Sequence, residues 1–422
     1  MTTTAATVPN PIGIPPEPDT WSIGPPRLLA AGYDAMRPYD RVAPRLLNRD
    51  QLIRDTTTVG LLGRGGAAFP VAAKLRAMPR RRAATVVVNG SESEPASYKD
   101  RILMRHSPHL VLDGALVVAH ALRARRVLVA VNDEPAAAAL HHAVGHRSDA
   151  RTVRIAGTGG RFAGGEARAV LRALGGGPAI APGRRVLPSV RGYRGTPTFL
   201  SNVETFAQIG LLATLGPRAY ADTGIADEPG TTVLTVTGAV GRPGVVEVPH
   251  GTPLSVLLCE VGAAPGAAIL LGGYHGSWWT GDPAVPLSRP ILAAAGATLG
   301  AGVVCVLGPE TCPLAELAHV TGYLADESAG QCGPCMFGLP TLAHDLQRAV
   351  GGHRSAASDL RRRLTLVPGR GACAHPDGTA RFVESGMRAF VADIERHRTV
   401  GGCGRPMRGH LTVSPTWQEV AR

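Results

Sequence analysis

The sequence predicts an α/β fold, continued by a smaller β-rich module and a helical C-terminal region. Three observations lead there. Short runs of β-branched residues alternate with longer helical stretches through the first half of the chain. Two strand-like segments flank a GRPG turn within 231–258, and four amphipathic helical stretches follow Cys312. At 422 residues and 44% hydrophobic content, the chain exceeds what one core organises, so several domains are expected.

The opening MTTTAATVPNPIGIPPEPDT has no basic region followed by an apolar core, so a secretory signal is not expected. Its Pro and Thr content predicts a disordered lead over 1–27. No apolar run is long enough for a membrane span, so no membrane insertion is expected. Seven cysteines without a scaffold-like spacing fit a reducing cytoplasm. The net charge of +12 points to an acidic partner or to an Arg-rich genome. Nucleic acid is not expected, because there is no basic tail and aromatics make up only 4%. Only two of the 44 basic residues are lysines, Lys74 and Lys99, and both fall in the motifs below. An ammonium is a compact point charge where a guanidinium is a planar fork, so these two positions stand out.

GLLGRGGAAFPVAAKLRAM (60–78) places Gly63, Gly65 and Gly66 ahead of a helix that Pro70 can start. Glycines let a backbone approach a ligand, and a helix start attracts anions. No clear strand precedes the loop, so it lacks the usual dinucleotide fingerprint. TVVV (85–88) then reads as a buried strand, with NGSESEP (89–95) at its carboxyl end, where open α/β sheets bind ligands. Its polar groups are Asn89, Ser91, Glu92 and Glu94; a long helix is expected from Tyr98 through His120. RRVLVAVND (125–133) is a further strand, and RFAGGEARAVLRAL (161–174) again joins glycines, a carboxylate and a helix start. GTPTFLSNVETFAQI (195–209) supplies Ser201, Asn202 and Thr205, suited to a phosphate or ribityl chain.

In this order, GRGGAAFP…K, VNGSESEPASYKDR, GGE and PTFLSNVET resemble the NADH-binding flavoprotein subunit of respiratory complex I. The related diaphorase subunits of NAD-reducing hydrogenases and formate dehydrogenases share the pattern, which runs from about Leu28 to Arg398. The resemblance implies FMN held by Gly63, Arg64, Gly65, Gly66, Asn89, Glu92, Ser201 and Asn202, with Ser91, Gly165 and Thr205 as further cofactor-binding positions. Phe69, Lys74, Glu94 and Glu166 would face NAD(P)H, which gives up hydride to the flavin. Some positions depart from the family. Ser91 replaces an aspartate, and Glu166 is followed by Ala167 and Arg168 in place of a second glutamate. Ala77 and Arg194 stand where aromatics clasp the adenine, with Tyr193 adjacent. A stacked base is worth about 1–3 kcal/mol. Arg168 and Arg194 would also suit a 2′-phosphate, so discrimination against NADPH is expected to be weak.

The segment 231–258 resembles the β-grasp (SLBB-like) module of the same family, and AGVVCVLG (301–308) reads as a buried strand with Cys305 in the core. In the helical region, Cys332 and Cys335 form C-x-x-C, and Cys373 matches the family's distant cluster cysteine. The family's first cysteine is Ala329, and Met336 and Phe337 replace an Arg-Glu pair. Three thiolates suit a 3Fe–4S cluster; an atypical 4Fe–4S cluster needs a substitute such as Asp326, His375 or a water-derived ligand. Cys332, Cys335, Cys373 and His375 also match a Cys₃His zinc site by ligand type, and an empty site is the remaining alternative.

The expected organisation is a lead (1–27), a Rossmann-like FMN/NAD(P)H-binding α/β domain (28–225) and the β-grasp module (226–300). A helical iron–sulfur-binding domain (301–400) and a tail (401–422) complete it. The expected activity is FMN-dependent NAD(P)H oxidation, passing electrons to a separate carrier, an acidic ferredoxin-like protein or another redox subunit. Arg361, Arg362, Arg363, Arg370 and Arg388 would dock it. The rival expectation is a scaffold subunit with degraded nucleotide or cluster sites.

Overall fold

A parallel four-stranded sheet organises the first half of the chain. In the computed structural model, which describes residues 17–29, 43–80, 82–183 and 186–413, its order is β4-β3-β2-β5. The strands are β2 (Thr85–Gly90), β3 (Arg126–Val131), β4 (Val153–Gly157) and β5 (Thr198–Asn202). Val86, Val87 and Val88 are fully buried, as expected of a central strand covered on both faces. Register sets Asn89 on β2 beside Asn202 on β5, so the acidic loop and the SNVET segment leave the sheet side by side. Helices α1 (Arg49–Thr58), α2 (Val71–Arg76), α3 (Lys99–His106), α4 (Pro108–Ala121), α5 (Glu134–Gly145), α6 (Ala167–Leu174) and α7 (Val203–Tyr220) accompany it.

The long helix expected from Tyr98 to His120 is two helices. Pro108 starts α4, and Ser107 before it leaves helical geometry (φ −130°, ψ 45°), as a residue preceding proline tends to do. Glycines bring α4 and α7 into backbone contact: a Cβ on Gly114 would lie 1.8 Å from the Phe206 carbonyl oxygen.

The second sheet has six strands in the order β1-β9-β8-β12-β10-β11. Five of them are β8 (Thr231–Gly238), β9 (Gly244–Pro249), β10 (Ala268–Leu271), β11 (Ser277–Trp279) and β12 (Val303–Leu307), with a small hairpin of β6 (Gly224–Ile225) and β7 (Glu228–Pro229) before them. Helices α8 (Leu254–Glu260) and α9 (Arg289–Ala294) pack nearby. Two expected boundaries move. The strand β12 pairs in parallel with β8, so it belongs to this sheet and not to the helical region that follows. Cys305 on it is buried. Residues 17–27, expected as part of a disordered lead, are ordered: β1 (Asp19–Ser22) pairs in parallel with β9. Beyond it, the Glu247 carboxylate accepts the backbone N–H groups of Arg27, Leu28 and Leu29. Residues 1–16 of that lead, and 414–422 of the expected tail, lie outside the described residues.

Five helices follow, not four: α10 (Pro313–Asp326), α11 (Leu339–Val350), α12 (Ala356–Leu364), α13 (His375–Ala389) and α14 (Val391–Val400). The fourth expected stretch breaks at Phe390 (φ −110°, ψ 31°). Nor are residues 401–413 a loose tail. The buried Glu316 carboxylate on α10 accepts the N–H groups of Arg408, Gly409, His410 and Leu411, folding this strap back over the helix. Among the described residues no helix is long and apolar enough to cross a membrane.

Candidate functional site

The glycine loop sits directly on the end of β5. A Cβ on Gly65 would come within 3.1 Å of Asn202 Cβ, and Gly66 adopts the left-handed φ of +95°. The loop is pinned from below, where the Arg64 N–H donates to Thr205 Oγ1 at 2.9 Å. Ala68, also left-handed at φ +48°, leads into Phe69, which is 51% exposed. Left-handed backbone at a non-glycine residue is uncommon and carries strain. This geometry turns an aromatic face outward beside the loop.

Several residues expected to touch a ligand also hold the floor of the site. The Arg64 side chain is buried and pairs with Glu228 at 3.1 Å and Glu204 at 3.8 Å. Glu92 accepts the N–H groups of Asp100 and Arg101, anchoring the start of α3. Thr205 is fully buried, and its hydroxyl serves the glycine loop. Asn202 caps α7 by accepting from Glu204 N, and its amide donates to Asp100. Of the two lysines, Lys99 belongs to this floor: its ammonium lies 2.8 Å from Asp100 and 3.0 Å from Glu204. The sequence gives little sign of this network, because Arg64 and Glu228 stand 164 residues apart.

Lys74 is different. Its Nζ donates to the Leu200 carbonyl at 2.9 Å and lies 5.8 Å from the Phe199 ring centre. Burial pulls it down to about 8, and no carboxylate acts to raise it. An ammonium removed from water without an anion is a costly arrangement unless an anion arrives. A phosphate-bearing ligand fits that need; Lys74, expected to face NAD(P)H, stands instead against β5 beside Ser201 and Asn202, so the residues present suit the FMN phosphate.

The acidic loop meets the GGE segment closely. Asn89 Nδ2 donates to the Gly165 carbonyl at 3.0 Å, Ser93 to the Phe162 carbonyl at 2.8 Å, and Ser91 bonds with Thr158. Ser201 is buried at the end of β5. Glu94 is 8% exposed; one oxygen accepts from Tyr274 N at 2.9 Å and the other has no partner. Burial pushes this carboxyl up to about 8, against the opposing pull of the Tyr274 and Ala96 N–H groups. At neutral pH it is therefore an acid with a proton on a free oxygen. Because its folded pKa lies above the unfolded value of 4.5, folding keeps a proton that the unfolded chain releases. Its stabilising effect is complete below about pH 4.5 and is lost as pH rises through 8. Glu94→Gln is expected to remove up to about 1.4 kcal/mol per pH unit from the stability slope across that window. Chemical denaturation of both proteins at pH 5, 6.5 and 8 checks this; parallel slopes would contradict it.

Glu166 caps α6, accepting from the N–H groups of Arg168 and Ala169. Arg168 Nε returns to Glu166 at 2.9 Å and its Nη2 donates to the Ala372 carbonyl at 2.9 Å. Arg168 is thus already engaged, which weakens the expectation that it would receive a 2′-phosphate. Arg194 is exposed, left-handed at φ +46°, and lies over Tyr193 with 5.4 Å from Cζ to the ring centre. Ala77 is exposed at the end of α2.

Arg168 also joins this site to the cysteine loop, since Ala372 precedes Cys373. Cys335 and Cys373 are buried and Cys332 is half-buried. Burial pushes the Cys335 thiol up to about 12, and the neighbouring Cys332 and Cys373 sulfurs add to it. Three neighbouring thiols suit a positive metal centre. Among the described residues Cys332, Cys335, Cys373 and His375 are not drawn to the spacing of a single ion, which does not favour the Cys₃His zinc alternative. His375 is committed at both nitrogens, Nε2 to the Leu324 carbonyl at 2.8 Å and Nδ1 to His275 at 3.1 Å. Asp326 is exposed. A cavity of about 990 Å³ lined by Arg49, Arg54, Arg80, His120 and Arg123 shares no residue with these loops.

Comparison with known proteins agrees with this layout. Residues 56–211 match the Nuo51 FMN-binding domain, and residues 315–397 match the NADH-ubiquinone oxidoreductase-F iron–sulfur binding region. The chain is 30% identical to the F subunit of NADH-quinone oxidoreductase from Streptomyces coelicolor over 397 residues, 88% of this chain and 87% of that one. It is 29% identical to the Mycobacterium tuberculosis (strain H37Rv) protein of that name over 435 residues, 94% and 95% of the two chains. Among solved structures, a chain of an NAD+-reducing [NiFe]-hydrogenase in the H2-reduced state superposes with a TM-score of 0.75 at 25% identity. The match covers 86% of this chain and 64% of the hydrogenase chain.

Proposed function

Since the chain belongs to the family of NADH-quinone oxidoreductase F subunits, with an FMN-binding domain and an iron–sulfur binding region, we propose that it is the NAD(P)H-oxidising flavoprotein unit of a multi-subunit redox assembly. The observation that carries this reading is Lys74, a cation drawn out of water beside the glycine loop with no anion of its own among the described residues. Bound FMN supplies two-electron acceptance from a nicotinamide and one-electron release.

The chain's own part is to hold and shield. The backbone of Gly65 and Gly66 allows close approach, Lys74 neutralises a phosphate, and Phe69 offers its exposed face to a nicotinamide ring. Glu94 keeps a proton at its free oxygen beside the acidic loop. Arg168 links the GGE segment to the Cys373 loop. With Arg168 engaged, Arg194 is the arginine left to favour a 2′-phosphate. The division into a Rossmann-like α/β domain, a β-grasp module and a helical iron–sulfur domain is part of the same reading.

The acceptor is an acidic one-electron carrier of ferredoxin type, or a redox subunit with the same surface, in a cytoplasmic setting. Support is mixed in character. Arg362, Arg363 and Arg388 pair with Asp359, Asp345 and Glu384, whereas Arg361 and Arg370 have no carboxylate partner among the described residues. Met336 and Phe337, at 54% and 68% exposed, add an apolar surface next to Cys335.

The test is anaerobic stopped-flow spectroscopy of FMN-loaded protein mixed with NADH or NADPH, then with an acidic ferredoxin at rising salt. Bleaching of the flavin band by the nucleotide, and a carrier-reduction rate that falls about tenfold or more from low to high salt, are expected. A flavin that neither nucleotide reduces would favour the scaffold reading, for which Ala329 in place of a fourth cysteine is the specific observation.

A further inference from the structure

Three buried side chains outside the C-x-x-C loop converge where the helical region closes on its own strap. Cys312 Sγ, a ring nitrogen of His397 and Cys403 Sγ all lie within 4.8 Å of one another. Their exposures are 2%, 3% and 8%. We propose that Cys312, His397 and Cys403 form a mononuclear zinc site, distinct from the Cys332–Cys335–Cys373 centre, with its fourth position taken by water.

The spacing is that of a single ion. Tetrahedral zinc with Zn–S near 2.3 Å and Zn–N near 2.0–2.1 Å sets its ligand atoms about 3.5–3.8 Å apart. Cys312 Sγ and His397 Nε2 stand at 3.4 Å before any ion draws them into place. The imidazole is oriented as zinc ligands usually are. Its Nδ1 faces the Val350 carbonyl at 2.7 Å. A carbonyl only accepts, so the proton resides on Nδ1 and the Nε2 lone pair points at the sulfurs. Cys312 stands at the N-cap of α10, a helix of 14 residues whose aligned backbone dipoles favour a thiolate there. Two thiolates and a neutral imidazole are a soft donor set that selects zinc over calcium or magnesium.

The three ligands come from the start of α10, the last turn of α14 and the strap, so the ion ties three segments together. The strap is already gripped by Glu316, and Cys312 N donates to the Pro406 carbonyl at 2.8 Å. Its far end accepts a hydrogen bond from the Tyr274 hydroxyl at the Thr412 carbonyl, and the Tyr274 N–H holds Glu94. Zinc at Cys403 would therefore stiffen a path that ends at the acidic loop.

Elemental analysis of the full-length protein, purified without chelator, tests the site. Wild type should carry about one zinc per chain besides any iron. Cys403→Ser should lower zinc roughly tenfold or more while iron stays. Cys332→Ala should do the reverse. If Cys403→Ser fails to fold, zinc-edge X-ray absorption of the wild type decides alone: two sulfur and two lighter ligands are expected. Absence of zinc, a four-sulfur shell, zinc retained by Cys403→Ser, or a Cys312–Cys403 disulfide in alkylated protein would each overturn the proposal.

Discussion

Lys74→Met is expected to yield protein that binds FMN about 2–5 kcal/mol more weakly, a loss of roughly thirty- to several-thousand-fold, because a phosphate then enters a partly desolvated site with no cation to meet it. The fold should tolerate the change, since the ammonium makes one hydrogen bond, to the Leu200 carbonyl, and a Met stem fills the same path. Removing a cation that burial already holds at about 8 relieves a cost of folding, so stability without flavin should hold or rise. The pH dependence carries a distinct sign. A bound phosphate restores the proton affinity that burial takes away, so binding above pH 8 requires proton uptake. Wild-type affinity should be level near pH 7 and fall by up to about tenfold per unit above pH 8. Lys74→Met should lack that fall. Fluorescence titration of FMN from pH 6.5 to 9.5 measures both. Equal dissociation constants for the two proteins would show that the phosphate lies elsewhere.

Lys99→Met should do the opposite, damaging the fold more than the ligand contacts. Its ammonium sits among Asp100, Glu204 and the Asn202 side-chain oxygen, and Lys99 itself is 2% exposed. One Glu204 oxygen has no partner except this ammonium, at 3.0 Å. The Lys99 stem lies where Gly302 leaves room, for a Cβ there would stand 2.7 Å from Lys99 Cδ. Deleting the charge leaves Asp100 with the Asn202 amide and Glu204 with the more distant Arg64, so a buried ion cluster loses its nearest cation at a cost of about 3–5 kcal/mol. Lys99→Met combined with Glu204→Gln should recover part of that loss, because one of the two undercompensated charges is gone. Guanidinium denaturation of the three proteins gives the values. A single variant within about 1 kcal/mol of wild type would mean that the cluster is wetter than its burial implies.

These two lysines also show what a sequence reveals and what it conceals. The glycine loop, the acidic loop and SNVET are legible because close backbone approach and polar loop ends impose local residue choices. Which lysine faces a ligand is not legible, since that depends on whether a carboxylate from a distant helix reaches it. Glu204 reaches Lys99, and among the described residues none reaches Lys74. The same limit hides the role of Glu92, whose helix-anchoring bonds look in sequence like any acidic loop. The place of the buried Arg64 is hidden too, because its partner Glu228 arrives through a later hairpin. Strand and helix types follow from composition, whereas the break at Pro108 is masked by a strongly apolar run. Cys312, His397 and Cys403 match no spacing pattern, and only the return of the strap brings them together.

The parallel pairing of β1 with β9 has a consequence for how the chain is made. Leu28 waits for a carboxylate 219 residues downstream, at Glu247. At a ribosomal rate of about 5–20 residues per second, that wait lasts roughly 10–45 s. Throughout it, Trp21 and Leu28 are apolar residues without a sheet, and the edge of β9 that will receive them does not exist. A segment synthesised well before its partner strand is therefore among the last to be placed, and nascent chains must keep it away from one another until β9 emerges.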